Sequence, residues 1–121
     1  MGAAGDDWTA GQAALAYERC RRCGAAWFFR RGFCPRCGDP APERLAASGR
    51  GRVHAVTTVA RAPTAELRAL APYRIALVDA AEGFRVMAHA APGVAIGDRV
   101  ATRFVPFGAR LVPYCEREEG A

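Results

Sequence analysis

The chain has 121 residues and a mass of 12.9 kDa, room for one ordinary domain or for a small domain carrying a metal-held module. Hydrophobic residues make up 51% and charged residues 24%, which excludes a disordered chain. The formal net charge is +5, all of the basic residues being Arg; four cysteine thiolates and one divalent cation would remove two of those charges and leave +3, small for a nucleic-acid binder. The longest run free of Asp, Glu and Arg, Val86–Gly97, falls well short of the roughly 18 apolar residues of a membrane span. Residues 1–7 show neither the basic nor the apolar region of a secretory signal. The expectation is a cytoplasmic protein with no membrane contact.

Residues 1–14 are small and polar, with Trp8 as the one bulky anchor, and read as a loosely ordered stretch or a short helix. Alternation over Leu15–Arg19 predicts a short strand, and Trp27-Phe28-Phe29 predicts a second. Beside these strands stand two copies of one device, Cys20-Arg21-Arg22-Cys23-Gly24 and Cys34-Pro35-Arg36-Cys37-Gly38. Each Cys-x2-Cys turn aims two sulfurs at one point about 2.3 Å from a metal, and the Gly that follows allows a positive φ. Cys20, Cys23, Cys34 and Cys37 are therefore expected to hold one structural ion. Zinc is expected; iron, which takes the same four ligands in rubredoxin, is the alternative. A disulfide framework belongs outside the cell, and a thioredoxin-like centre would need only one pair. Cys115 stands far from these four, in a strand-like run, and reads as a small buried hydrophobe.

Residues 38–50 are rich in Pro, Gly and Ser and read as a module boundary. Beyond Gly51 the period becomes two. Val53, Ala55, Thr57 and Val59 are predicted to share one face of a strand, with Arg52, His54, Val56 and Thr58 on the other. Ile75–Val78 is apolar on both faces, Ala80–Gly83 makes a turn, and Phe84–His89 returns. Gly97-Asp98 turns into Arg99–Val105, and Phe107-Gly108-Ala109 reverses the chain into Leu111–Cys115. Thr64–Leu70 is the one helical piece, capped by Thr64 and stopped by Pro72. Five strands in about 65 residues, with a long first connection, fit a small closed barrel of the OB type. The fold class is mainly β: a rubredoxin-like zinc ribbon followed by a five-stranded OB-fold barrel. The expected division is an N-terminal segment (1–14), the ribbon (15–45), the barrel (46–116) and a tail (117–121).

Several pieces recur in a distinctive order. They are the two Cys pairs, Gly-Arg-Gly-Arg-Val-His (49–54), Ala-Pro-Tyr-Arg-Ile-Ala-Leu-Val-Asp (71–79), Glu-Gly-Phe-Arg-Val-Met-Ala-His (82–89) and Ile-Gly-Asp-Arg-Val (96–100). From Leu15 to Cys115 the chain resembles the zinc-ribbon OB-fold proteins associated with acyl-CoA metabolism. That resemblance implies a non-enzymatic accessory subunit. Its partner would be a thiolase-fold enzyme (a thiolase, a lipid-transfer-type aldolase or a relative of hydroxymethylglutaryl-CoA synthase) or a hot-dog-fold hydratase. The subunit would help to hold the acyl-CoA, with the catalytic residues on the partner. The chain departs from the family in its short N-terminal stretch and in Trp27–Arg31, where Pro residues are usual.

Arg50, Arg52, Tyr73 and Arg74 are expected where ribbon meets barrel, in a cleft for the acyl-CoA tail. His54 and His89 read as wall residues of the strands, and Asp79 and Glu82 as servants of a turn. Arg30 and Arg31, beside three aromatic rings, suit a phosphate or an adenine, or else form a solvated ribbon edge. The other function class is a nucleic-acid-binding ribbon and OB module. Such barrels display aromatic rings on their strands for base stacking, whereas most rings here lie in the ribbon or near turns.

Overall fold

The computed structural model describes residues 6–61, 65 and 71–118. The helix expected over Thr64–Leu70 lies, but for Ala65, outside them. A single 3-10 turn, Trp8–Ala10, leads into β1 (Ala16–Arg19), β2 (Ala26–Trp27), β3 (Glu43–Ala46), β4 (Arg50–Val59), β5 (Tyr73–Ala80), β6 (Arg85–Ala90), β7 (Arg99–Phe107) and β8 (Arg110–Arg117). The first three strands form an antiparallel sheet in the order β2-β1-β3, and the other five close a barrel in the order β4-β5-β6-β8-β7. Every neighbour in the barrel is antiparallel except β6 and β8, which run parallel at His89↔Tyr114 and Ala90↔Cys115. Closure leaves the barrel without a free edge. The ribbon and the five-stranded OB barrel are as the sequence predicts.

Three local features differ from the sequence reading. Glu43–Ala46 is a strand where only a Pro-rich connection is expected; it pairs with β1 in the register Tyr17↔Leu45. Four residues carry too little periodicity to announce a strand, and the hydrogen bonds that reward extension come from β1. β2 is shorter than expected because Phe28 and Phe29 leave it. Phe28 turns to stack between Trp8, at 6.1 Å, and Phe84, at 6.4 Å. In β4 the register shifts between Val53, opposite Val78, and Ala55, opposite Leu77. This bulge at His54 inverts the phase, so Val56 packs against the core while Thr57 is exposed.

The core runs without a break from ribbon to barrel. Leu15 and Tyr17 of the ribbon belong to the same buried cluster as Val53, Val78, Val86 and Val100 of the barrel. Tyr17 stacks on Phe84 with ring centres 4.8 Å apart. In the N-terminal segment the side chain of Asp7 caps the 3-10 turn by accepting from the Thr9 N–H, and pairs with Arg44 of β3 at 3.4 Å. Cys115 is fully buried in the barrel, and burial pushes its thiol pKa up, the state of an inert core thiol.

Gly51 explains one piece of the Gly-Arg-Gly-Arg signature. A Cβ placed there would lie 2.7 Å from Val78 Cγ1 and 3.1 Å from Ala80 Cα, and closer still to the carbonyl oxygen of Asp79. Backbone cannot swing aside as a side chain can. Gly51→Ala is therefore expected to lower stability by about 2 kcal/mol through overpacking, read as a lower denaturant midpoint at unchanged slope; an unchanged midpoint would show that the β4–β5 approach relaxes freely.

Candidate metal centre and barrel surface

The two Cys turns are near copies in space. The N–H groups of Arg22 and Cys23 each donate to Cys20 Sγ at 3.3 Å; those of Arg36 and Cys37 donate to Cys34 Sγ at 3.4 and 3.3 Å. Each turn is closed by its glycine, Gly24 N–H to the Cys20 carbonyl at 3.0 Å and Gly38 N–H to the Cys34 carbonyl at 2.9 Å. Both glycines have the positive φ expected, 80° and 83°, but their N–H groups reach the carbonyl oxygen rather than sulfur.

All four Sγ atoms lie within 4.8 Å of one another. The pairs Cys20–Cys37 and Cys23–Cys34 stand 3.5 and 3.6 Å apart, near the edge of about 3.8 Å of a tetrahedron with metal–sulfur bonds of about 2.3 Å. The electrostatics agree. At Cys20 the N–H of Cys23 leads in lowering the thiol pKa. At Cys34 burial opposes ionisation, yet the N–H groups of Cys37 and Arg36 outweigh it and pull the thiol down to about 6. At Cys37 the N–H of Asp39 favours the thiolate, but burial and the neighbouring sulfurs push the thiol up to about 12. Four thiols so close cannot all ionise unless a cation joins them. The donor set fits a closed, four-sulfur zinc ribbon with no open position.

Glu18 is a positioning residue that the sequence reading missed. It is buried, and its Oε1 accepts from Trp27 Nε1 at 2.7 Å and from the Arg31 N–H at 2.8 Å. It thereby fixes the loop between the two Cys pairs. The only signal for it was an acid on a strand whose other residues are mostly apolar.

The four residues expected to share a cleft fall into two separate groups. On the β4–β5 ladder Arg52 stands opposite Asp79 and Arg74 opposite Thr58, roughly 17 Å apart by strand rise. Arg50 pairs with Glu118 at 3.2 Å, and Arg52 donates to the Gly97 carbonyl at 3.2 Å. Arg74 donates to the carbonyls of Ala91 at 3.0 Å and Val94 at 2.7 Å, bracing that loop. Tyr73 stacks on His89 at 5.3 Å and meets Phe107 edge-on at 4.8 Å. Tyr73 and Arg74 line a cavity of about 430 Å³ with these rings and Tyr114, whereas Arg50 and Arg52 lie outside it. Burial pushes the His89 pKa down. His54 faces Asp79 at 3.7 Å. Asp79 also accepts from Arg85 Nε at 2.7 Å, the contact that most lowers its carboxyl pKa. Asp79 thus clamps the β5–β6 hairpin, and Glu82 in the turn accepts from the Ser48 N–H at 2.8 Å. Among the described residues no helix is long and apolar enough to cross a membrane.

Comparison with known proteins agrees with this architecture. A family model for the C-terminal OB-fold domain of ChsH2 matches residues 45–105. A DUF35 domain-containing scaffold protein of Methanothermobacter thermautotrophicus is 35% identical over 91 residues, 71% of this chain and 68% of that protein. Its counterpart in Methanocaldococcus jannaschii is 36% identical over 69 residues, covering 56% of this chain and 48%, about half, of the relative. Among solved structures, the Ltp2-ChsH2(DUF35) aldolase superimposes with a TM-score of 0.70 at 25% identity, over 86% of this chain and 84% of that one. A DUF35 protein of unknown function from Sulfolobus solfataricus superimposes at 0.59 and 16% identity, over 87% and 76%, a likeness of fold alone. Matched across ribbon and barrel alike, the chain belongs to the DUF35 family, with the ChsH2 type of OB-fold domain.

Proposed function

We propose that this chain is a non-catalytic accessory subunit that binds acyl-CoA for a partner enzyme, of thiolase fold or hot-dog fold, in lipid or polyketide-type metabolism. One observation carries the reading: its likeness along most of its length to the DUF35 chain of an aldolase complex, and to relatives named scaffold proteins. The chemistry of the chain supports it. A metal held by four sulfurs has no position for substrate, His54 is engaged with Asp79, and Cys115 is sealed in the core. In this reading residues 15–45 are the ribbon, built around one structural zinc on Cys20, Cys23, Cys34 and Cys37, and residues 46–116 are the barrel. Zinc is favoured over iron as the commoner occupant of a closed four-sulfur ribbon. A cytoplasmic setting, where thiols stay reduced, suits these ligands.

Acyl-CoA contact is assigned to two regions of the barrel: Tyr73 and Arg74 beside the 430 Å³ cavity, and Arg50 and Arg52 at the far end of the ladder. Arg52 and Arg50 are exposed and suit phosphates. A nucleic-acid module is the competing reading, favoured by the ring cluster of Tyr73, His89 and Phe107 on a barrel face.

Two experiments test this reading. Elemental analysis is expected to find one zinc per chain, lost in Cys34→Ser together with the ordered ribbon and kept in Cys115→Ser. Because the ligands must be thiolates, the metal is expected to leave as the pH is lowered and protons replace it on sulfur. A folded chain without metal, or a red iron form, would overturn the assignment. In titrations, acyl-CoA affinity should rise with chain length, up to about fourfold per buried CH2, and weaken only mildly with salt. Arg52→Glu should lower it at full zinc content, and the isolated chain should turn over no thioester. Tight single-strand binding with a log–log salt slope of about −0.7 per phosphate, and no acyl-CoA binding with or without a thiolase-fold enzyme, would make the barrel a nucleic-acid module instead.

A further inference from the structure

A second cavity, of about 360 Å³, opens between the knuckle loop and the barrel. Trp8, Phe28 and Phe29 form one wall; Leu77, Met87 and Val112 belong to the other. Phe29 is 71% exposed and Met87 56% exposed, so two of the largest exposed apolar side chains among the described residues border one groove. Water contact at a Phe forfeits roughly 1.5–3 kcal/mol of burial. Neither ring nor thioether serves the core: Phe28 fills the gap between Trp8 and Phe84, while Phe29 touches only its edge, at 5.1 Å.

The knuckle segment beside the groove is rich in positive charge, while Asp6 and Asp7 line the adjoining cavity with Phe29 and Arg30. Residues 20–37 contain five Arg and no acid. Arg21 pairs with Glu43 at 3.7 Å. The guanidinium groups of Arg22, Arg30, Arg31 and Arg36 have no partner among the described residues. The loop that displays Phe29, Arg30 and Arg31 is rigid at its base, because buried Glu18 holds both Trp27 and the backbone of Arg31. A fixed aromatic anchor flanked by Arg, next to an adaptable Met, is the composition of a binding hot spot.

We propose that the groove between Phe29 and Met87 is a docking site for a protein segment that inserts large apolar side chains and carries Asp or Glu opposite Arg30 and Arg31. This rests on the accessory-subunit reading, since it gives the segment to the partner enzyme. The aliphatic wall of Leu77, Met87 and Val112 opposite the rings favours an apolar protein side chain over a base, which would find a ring face on one side only. Unpaired guanidinium groups on the residues that follow Phe29 in the same loop favour carboxylates, with which Arg forms two-pronged pairs. A preformed anchor reduces the ordering cost of association.

The test has two arms. In the first, a random peptide library is panned on the metal-loaded chain. Selected peptides should carry two bulky apolar residues flanked by acids, and should bind Phe29→Ala and the double variant Arg30→Glu, Arg31→Glu about tenfold more weakly or worse. Both changes are at exposed positions, and metal content equal to wild type verifies the fold. Selected sequences without acids, or binding unaffected by either variant, overturn the proposal. Palmitoyl-CoA and oligo-dT are titrated beside them. Loss of palmitoyl-CoA binding in Phe29→Ala with peptide binding intact makes the groove an acyl channel. Loss of oligo-dT binding in the charge variant with peptide binding intact makes it a strand-binding edge; either result overturns the inference. In the second arm, hydrogen exchange is followed as a thiolase-fold or hot-dog-fold enzyme is added. Protection at 28–31 and 85–89 is expected. An enzyme that binds and protects other segments refutes the groove but keeps the accessory role. Acidic peptides that bind the groove while no such enzyme associates keep the groove and refute that role.

Discussion

A column of four aromatic rings holds this molecule together. Trp8 from the N-terminal segment lies on Phe28 from the knuckle loop, Phe28 on Phe84 from the barrel, and Phe84 on Tyr17 from the ribbon sheet. Each ring comes from a different part of the chain, so the column ties all four parts together. The consequence is energetic as well as geometric. A ribbon of about 30 residues or a barrel of about 70 buries too little apolar surface to stand comfortably alone; one continuous core serves both. Rings suit the task because each buries a large area at the cost of only two side-chain torsions.

The column also explains why neighbouring residues have opposite fates. Phe28 is drawn inward and ends β2 early, and the next residue is thereby turned to solvent. The loop cannot collapse onto Phe29, because Glu18 binds the backbone two residues beyond it. A buried carboxylate is costly unless its oxygens are occupied, and here two N–H donors share Oε1. The same loop leads into Cys34. Loop geometry, the second pair of sulfurs and the exposed ring are therefore set by one buried acid.

On the barrel, charge is used mainly to brace turns. Arg74 holds the loop after β6, Asp79 and Arg85 clamp the β5–β6 hairpin, and Glu82 ties that hairpin to the connection from the ribbon. Arg103 pairs with Glu116 at 2.8 Å and lies 4.9 Å above the ring of Tyr114. Exposed pairs of this kind each add little to stability. They occupy several arginines of the barrel, whereas Arg22, Arg30, Arg31 and Arg36 of the knuckle region have no such partner among the described residues.

The sequence by itself determined the elements whose signal is local. The two Cys-x2-Cys-Gly turns announced four convergent sulfurs, because a ligand pair needs only the geometry of its own turn. Apolar runs bounded by turn residues announced β5 to β8, and Gly97-Asp98 and Phe107–Ala109 announced their reversals, because such runs and turns are read from consecutive residues. The buried state of Cys115 followed from the apolar run around it. Tertiary structure decided the rest. β3 exists because β1 pairs with it, and the bulge at His54 exists because β4 must satisfy β5 on both sides of the slip. Arg50 and Arg52 were separated from Tyr73 and Arg74 because antiparallel pairing places the start of β4 against the end of β5. The sequence showed three aromatic residues in a row, but only packing against Trp8 and Phe84 could choose which is buried. Local chemistry sets which conformations a segment prefers; the partners that reward one of them come from distant parts of the chain.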